Sequence, residues 1–240
     1  GDKISIKYNP YYADILQRDA TAKFIELTHR EYYKRFSKYF GNTIFGFFTD
    51  EPQWMQWEVP YTKGVFALFQ ERYGYSVEDR LEELFTNCGN YRQTRYHYYS
   101  LMTELFNCNY TQQLYQFCEE TGIQMTGHTV QEDNLMGQIL GCGGIMPFYE
   151  FEHMPGIDYL GRDIGNPCAI RPASSVAVQM GRPFVLSEMF GCTGWNISPR
   201  YLKYIAEHQF VNGVNRICQH LHAYSIKGFR KRDYPPFFSE

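Results

Sequence analysis

Two apolar runs end on a carboxylate: residues 43–52, TIFGFFTDEP, and residues 182–191, RPFVLSEMFG. Each is aromatic or β-branched, of strand length, and soon followed by Pro or Gly, the pattern of a buried strand that delivers an acid to its C-terminal end. The acids are Asp50 and Glu51 in the first run and Glu188 in the second. A pair of facing carboxylates is the minimal machinery for cleaving a glycosidic bond, one protonating the leaving oxygen and the other activating water or attacking carbon. Glu51 is the expected acid, because the like charge of Asp50 and the apolar Trp54 and Trp57 after it would raise its pKa. Glu188 precedes a Gly-rich aromatic loop ending at Trp195 and is the expected base or nucleophile. The structural alternative is that Asp-Glu-Pro serves as turn chemistry and that Glu188 pairs with an Arg.

Other polar groups fall at the ends of further apolar stretches: His128 with Glu132 and Asp133 just after it, Asp158, and the set His220, His222 and Tyr224. Asp50, His128, Glu132, Trp195, His220, His222 and Tyr224 are therefore the candidates for holding a sugar, with aromatic rings as platforms for its apolar face. His220 and His222 would share one face of a strand, since the side-chain period is two. With His128 and Asp158 they give a rival reading, a metal-dependent hydrolase of amides or phosphates. Glu150, Glu152, Asp158 and Asp163 offer oxygen ligands for calcium. Spacing alone names no metal site, and His29 and His97 read as scaffold.

The elements that must position these groups alternate between helical and extended patterns. Helices are expected over residues 19–39, 64–73, 76–85, 91–120, 173–180 and 199–211, and strands over 43–49, 123–128, 156–160, 183–187 and 214–222. Gly41 and Gly122 follow helix ends, and Ser198-Pro199 supplies the favoured start of the last helix. Strands alternating with helices favour a parallel α/β sheet with right-handed crossovers. In a (β/α) TIM-type barrel, acids at the tips of strands far apart in sequence converge on one face. Five strands do not close eight, so the expectation is an incomplete barrel: residues 1–240 as one catalytic domain, a fragment of a longer enzyme. Unpaired edges of such a sheet would invite self-association.

Composition excludes several classes. With 44% hydrophobic residues the chain supports a core, and its 21 Tyr and 19 Phe far exceed ordinary usage. A net charge of −3 with mixed signs leaves no basic stripe for nucleic acid. No apolar stretch reaches membrane-spanning length, and residues 1–10 lack the apolar region of a signal peptide. The compartment stays open between cytoplasm and a secreted or periplasmic location. Seven widely spaced cysteines without a C-x-x-C pair read as reduced structural thiols.

Residues 24–36 (FIELTHREYYKRF), 46–53 (GFFTDEPQ), 126–133 (TGHTVQED), 187–198 (SEMFGCTGWNIS) and the closing QHLHAYSIKGFRKRDYPP resemble the catalytic barrel of glycoside hydrolase family 106, the inverting α-L-rhamnosidases. The resemblance spans nearly the whole chain but only the later part of that family's barrel. It implies an acid at Glu51 and a base at Glu188, and calcium near the sugar hydroxyls with no ligand assigned residue by residue. Three alternatives stay open: a retaining, β-galactosidase-like barrel enzyme with Glu188 as nucleophile, the metal-dependent hydrolase using His128, His220 and His222, and a non-catalytic sugar-binding fragment.

Overall fold

The computed structural model describes residues 3–54, 58–164, 167–220 and 227. Its ten α-helices are α1 Arg18–Leu27, α2 His29–Phe36, α3 Val65–Tyr73, α4 Glu82–Phe85, α5 Tyr91–Phe106, α6 Gln112–Thr121, α7 Leu135–Gly141, α8 Ile145–Tyr149, α9 Pro167–Gln179 and α10 Pro199–Val211. The strands are β1 Gly46–Asp50, β2 Gln124–His128, β3 Gly156–Tyr159, β4 Leu186–Met189 and β5 Arg216–Gln219. Every pairing is parallel and joins neighbours in sequence, β1 with β2, and β3 with β4 with β5. An isolated parallel bridge, Thr126 to Met154, spans the gap between the two sheets. The α/β class is as expected, but no closed sheet forms among the described residues.

Parallel strands need cover on both faces, and β3 and β4 have it. In each, three of four residues are buried, and the half-open positions are Asp158 and Glu188. Ala169, Ile170 and Ala173 of α9 and Ile205 of α10 are buried in the same core as Ile157 and Met189. The outer strands differ: β1 alternates between exposed and half-buried residues and β5 is mostly exposed. Phe45, Phe48 and Ile217 lie open. No helix of the described residues is long and apolar enough to cross a membrane.

Several boundaries move for identifiable reasons. The single helix expected over 19–39 breaks at Thr28, whose hydroxyl donates to the Phe24 carbonyl at 2.6 Å while its backbone turns to φ −118°. The long helix over 91–120 is continuous but carries a π-helical turn at Asn107–Thr111, which brings the Tyr110 hydroxyl within 3.0 Å of Thr49 Oγ1 on β1. Helices α7 and α8 are short, α7 holds two glycines and α8 a proline, and no periodicity announces them. Helix α9 begins earlier than expected because Pro172 sits inside it, not before it. Asp50 and Glu188 lie within β1 and β4, where the expected strands stopped one residue short of each. All seven cysteines are free thiols.

The strands approach closely at Gly127, which pairs β2 with Thr49 of β1. A Cβ there would meet the Thr49 carbonyl oxygen at 2.1 Å, on a backbone with φ of +150°. Gly161 also has positive φ, +81°, but faces open space. Gly127→Ala is expected to cost about 3 kcal/mol by forcing β1 and β2 apart, and Gly161→Ala about 1 kcal/mol from backbone strain alone. Urea denaturation of both variants checks this, and equal losses would contradict it.

Candidate active site

The sheet register builds the site. Asp50 stands opposite His128 across β1 and β2, and Asp158 opposite Glu188 across β3 and β4, so all four side chains emerge near the C-terminal ends of their strands. The His128 side chain is 1% exposed. Its Nε2 donates to Glu188 Oε2 at 2.8 Å and lies 3.7 Å from Asp50 Oδ1, and its Nδ1 is 3.3 Å from the Thr129 carbonyl oxygen. Both ring nitrogens thus face oxygen acceptors, an arrangement that favours the doubly protonated imidazolium. Burial opposes that charge, but the bond to Glu188 and the fields of Glu132 and Asp158 overcome it and raise the pKa to about 9.

The carboxyls around this cation divide by environment. Glu51 follows β1 at φ +45°, in the left-handed region that non-glycine residues seldom enter. Burial raises its pKa, opposed by His128 and reinforced by Asp50 and Glu188. Desolvation likewise lifts Asp158 to about 7, against the pull of His128 and with help from Glu188, Glu132 and Glu51. His220 is buried, with Nε2 4.0 Å from Glu188 Oε1. Gly191 admits its ring: a Cβ there would fall 2.5 Å from the imidazole.

The structure brings Glu51, Glu188, Asp50, His128 and His220 together and separates the remaining candidates. Glu132 is completely enclosed. Its Oε1 accepts from the Thr129 amide at 2.8 Å and the Tyr149 hydroxyl at 2.9 Å, and its Oε2 accepts from the Asp158 amide at 2.8 Å. It fastens β3 to the loop after β2, and burial lifts its pKa to about 7. Trp195 is 64% exposed in the loop after β4. Trp54 is buried against Phe106, with its indole N–H donated to the Leu140 carbonyl, so it packs the loop instead of presenting a platform. Trp57, His222 and Tyr224 lie outside the described residues. The sequence offers Asp158 as a strand-end acid and a metal ligand but not among the groups that hold a sugar, and it does not single out Tyr149. Asp158 had a weak cue, the short GIDYL strand, and Tyr149 had none because α8 was unforeseen.

His128, Asp158 and Glu188 offer one atom each within 4.8 Å of one another, a spacing that suits a cation. The donor set does not suit calcium. Calcium requires six to eight oxygens, and the set supplies two carboxylates and a ring nitrogen, so among the described residues it does not form a calcium cage.

His128, Glu132 and Asp158 all hold protons more tightly folded than unfolded, since their pKa values stand at about 9, 7 and 7 against ordinary values of 6.5, 4.5 and 3.8. Their contribution to stability is complete at low pH and lost as pH rises, over about 4–7 for the acids and 6.5–9 for the histidine. The urea midpoint is therefore expected to fall from pH 5 to pH 9, and His128→Gln to flatten the fall above pH 7. A midpoint that rises over this range would contradict the assignment.

A family model for glycoside hydrolase 106, described as alpha-L-rhamnosidase, matches residues 5–227. No curated protein matches the chain. Among solved structures, a rhamnosidase from Novosphingobium sp. PP1Y is similar with a TM-score of 0.64 and 18% identity, over 90% of this chain and 22% of that one. At that identity the likeness is one of fold, and the chain spans about a fifth of that protein's length.

Proposed function

The chain belongs to the glycoside hydrolase 106 family, and from that premise we propose that it forms the catalytic region of a glycosidase acting on α-L-rhamnosides or a similar sugar, with Glu51 as general acid and Glu188 as base. The observation that carries this reading is the convergence of Glu51 and Glu188, from strands far apart in sequence, on the single buried cation of His128. The five parallel strands fit consecutive strands of a (β/α) barrel, with the site at their C-terminal ends, where such barrels place their chemistry.

In the inverting form of the reaction, Glu51 gives its proton to the glycosidic oxygen as the bond from that oxygen to the anomeric carbon breaks. Glu188 takes a proton from the water that forms the new bond on the opposite face. Burial raises the pKa of Glu51, as a proton donor requires, and the His128 Nε2 bond at 2.8 Å orients Glu188. Asp50 and His220 flank the pair and are suited to the sugar hydroxyls. A retaining enzyme would use the same two residues, with Glu188 attacking the anomeric carbon.

Glu51→Gln and Glu188→Gln are each expected to lower kcat on an α-L-rhamnoside by about 10²–10⁴ while leaving sugar binding largely intact. Unimpaired turnover in either variant would end the assignment. Proton NMR of the anomer first released distinguishes the two forms of the reaction. Binding without turnover in the unmodified chain would favour a sugar-binding fragment. The open edges at β1 and β5 lead us to expect self-association, and a monodisperse monomer by light scattering would count against it.

A further inference from the structure

The loop after β2 and the start of α7 border an open cavity of about 270 Å³ lined by Gln131, Asp133, Asn134, Met136, Gly137 and Leu140. It lies outside the cluster of Glu51, Glu188 and His128, yet it is built into the same frame. The Glu132 carbonyl, in the loop that forms one wall, accepts from the buried Gln138 side chain of α7 at 2.8 Å. The far end of α7 is fixed to the loop that carries Glu51: the Trp54 amide donates to the Gly141 carbonyl at 3.0 Å and its indole N–H to the Leu140 carbonyl at 2.9 Å. Glu51 and this cavity therefore keep a set relation to each other.

We propose that this cavity is the leaving-group subsite, taking the sugar ring that departs when the glycosidic bond is cut. The inference rests on the glycosidase reading above and adds the side on which the aglycone lies. A general acid must stand on the leaving-group side of the scissile bond, because it protonates the departing oxygen, and the element tied to the acid's loop is α7. The lining suits a pyranose, with Met136 and Leu140 for an apolar face and Gln131 and the exposed carboxylate of Asp133, which also accepts from the Asn134 side-chain amide at 3.1 Å, for hydroxyls. The volume falls below the roughly 300–1,000 Å³ of drug-sized sites, which fits one ring and not an oligosaccharide. Asn134 and Gly137 are committed to the wall itself: the Asn134 side chain caps α7 by accepting from the Gly137 amide at 2.6 Å. Gln131 holds φ of +54°, a conformation that costs a non-glycine residue energy and that its place at the mouth of the cavity would explain.

The test uses Gln131→Gly and Met136→Ala. Glycine adopts the Gln131 backbone without strain, and Met136 is 68% exposed, so both variants are expected to fold. The efficiency kcat/KM is compared on an α-L-rhamnosyl disaccharide and on methyl α-L-rhamnoside, whose leaving group cannot fill the cavity. The expected result is a fall of about tenfold or more in the disaccharide-to-methyl ratio for each variant. An unchanged ratio with normal melting overturns the subsite and leaves the glycosidase reading standing. If the unmodified chain turns over neither substrate, that reading fails, and the cavity is judged by NMR. Shifts of the Gly137 and Leu140 amides on titrating the disaccharide then retain a sugar site, and static amides reject it.

Discussion

The charge on one buried imidazole organises the site. A cation removed from water is costly unless its hydrogen bonds and counter-charges are supplied by the protein, and His128 has both N–H groups bonded and carboxyls on several sides. The nearest of them, Asp50 and Glu188, come from β1 and β4 while the imidazole stands on β2, so the cation ties the tips of three strands to one point. The tie depends on backbone geometry upstream. Gly127, the residue before His128, lets β2 approach β1 closely, and that approach sets Asp50 opposite the imidazole. Glu132 then fixes the loop after His128 to β3 through the Asp158 amide.

Backbone strain collects where this geometry is delivered. Among the described residues the non-glycine positions with positive φ are Glu51, Gln131, Phe190 and Cys192, all in loops that follow the C-terminal ends of β1, β2 and β4. Such conformations persist only where the surroundings over-determine them. Trp54 anchors the first loop to α7, Gln138 anchors the second, and in the third the Thr193 hydroxyl donates to the Phe190 carbonyl at 2.7 Å while the Arg162 guanidinium donates to the Thr193 carbonyl at 2.6 Å. Each anchor lies a few residues beyond the strained position, so the strain orients side chains without loosening the strands.

Much of this was legible in the sequence. The apolar runs ending at Asp50 and Glu188 and the stretch ending at His128 marked strands whose tips carry the chemistry; burial on both faces accounts for the run in β4, whereas β1 is half open despite its apolar sequence. The pairing of Asp50 with Glu51 likewise foretold a raised acid pKa, though burial proved the larger cause. The hidden parts were long-range. No pattern in residues 129–155 announces α7 or α8, whose glycines and lone Pro erase helical periodicity. Glu132 read as a strand-end acid for sugar, and only the fold shows that Tyr149 and two backbone amides consume it. Trp54 looked equally suited to stacking on sugar, and its indole bond to a carbonyl 86 residues away decides for packing.

Two carboxyls near Glu188 hold raised pKa values, and geometry selects between them. Asp158 offers an oxygen within 4.8 Å of one from Glu188. The two carboxyls occupy paired positions on neighbouring parallel strands and so leave the sheet side by side, whereas paired glycosidase carboxyls flank the bond they cut, about 5–5.5 Å apart when retaining and about 6.5–9.5 Å when inverting. Asp158 also has an oxygen enclosed without access to solvent. Glu51 follows β1, in the other sheet from Glu188, and is coupled to Glu188 through its field. In the proposed reaction Glu51 is therefore the better placed of the two to present a proton to a bond lying between itself and Glu188. The role left to Asp158 is electrostatic, a third carboxyl that helps keep His128 charged.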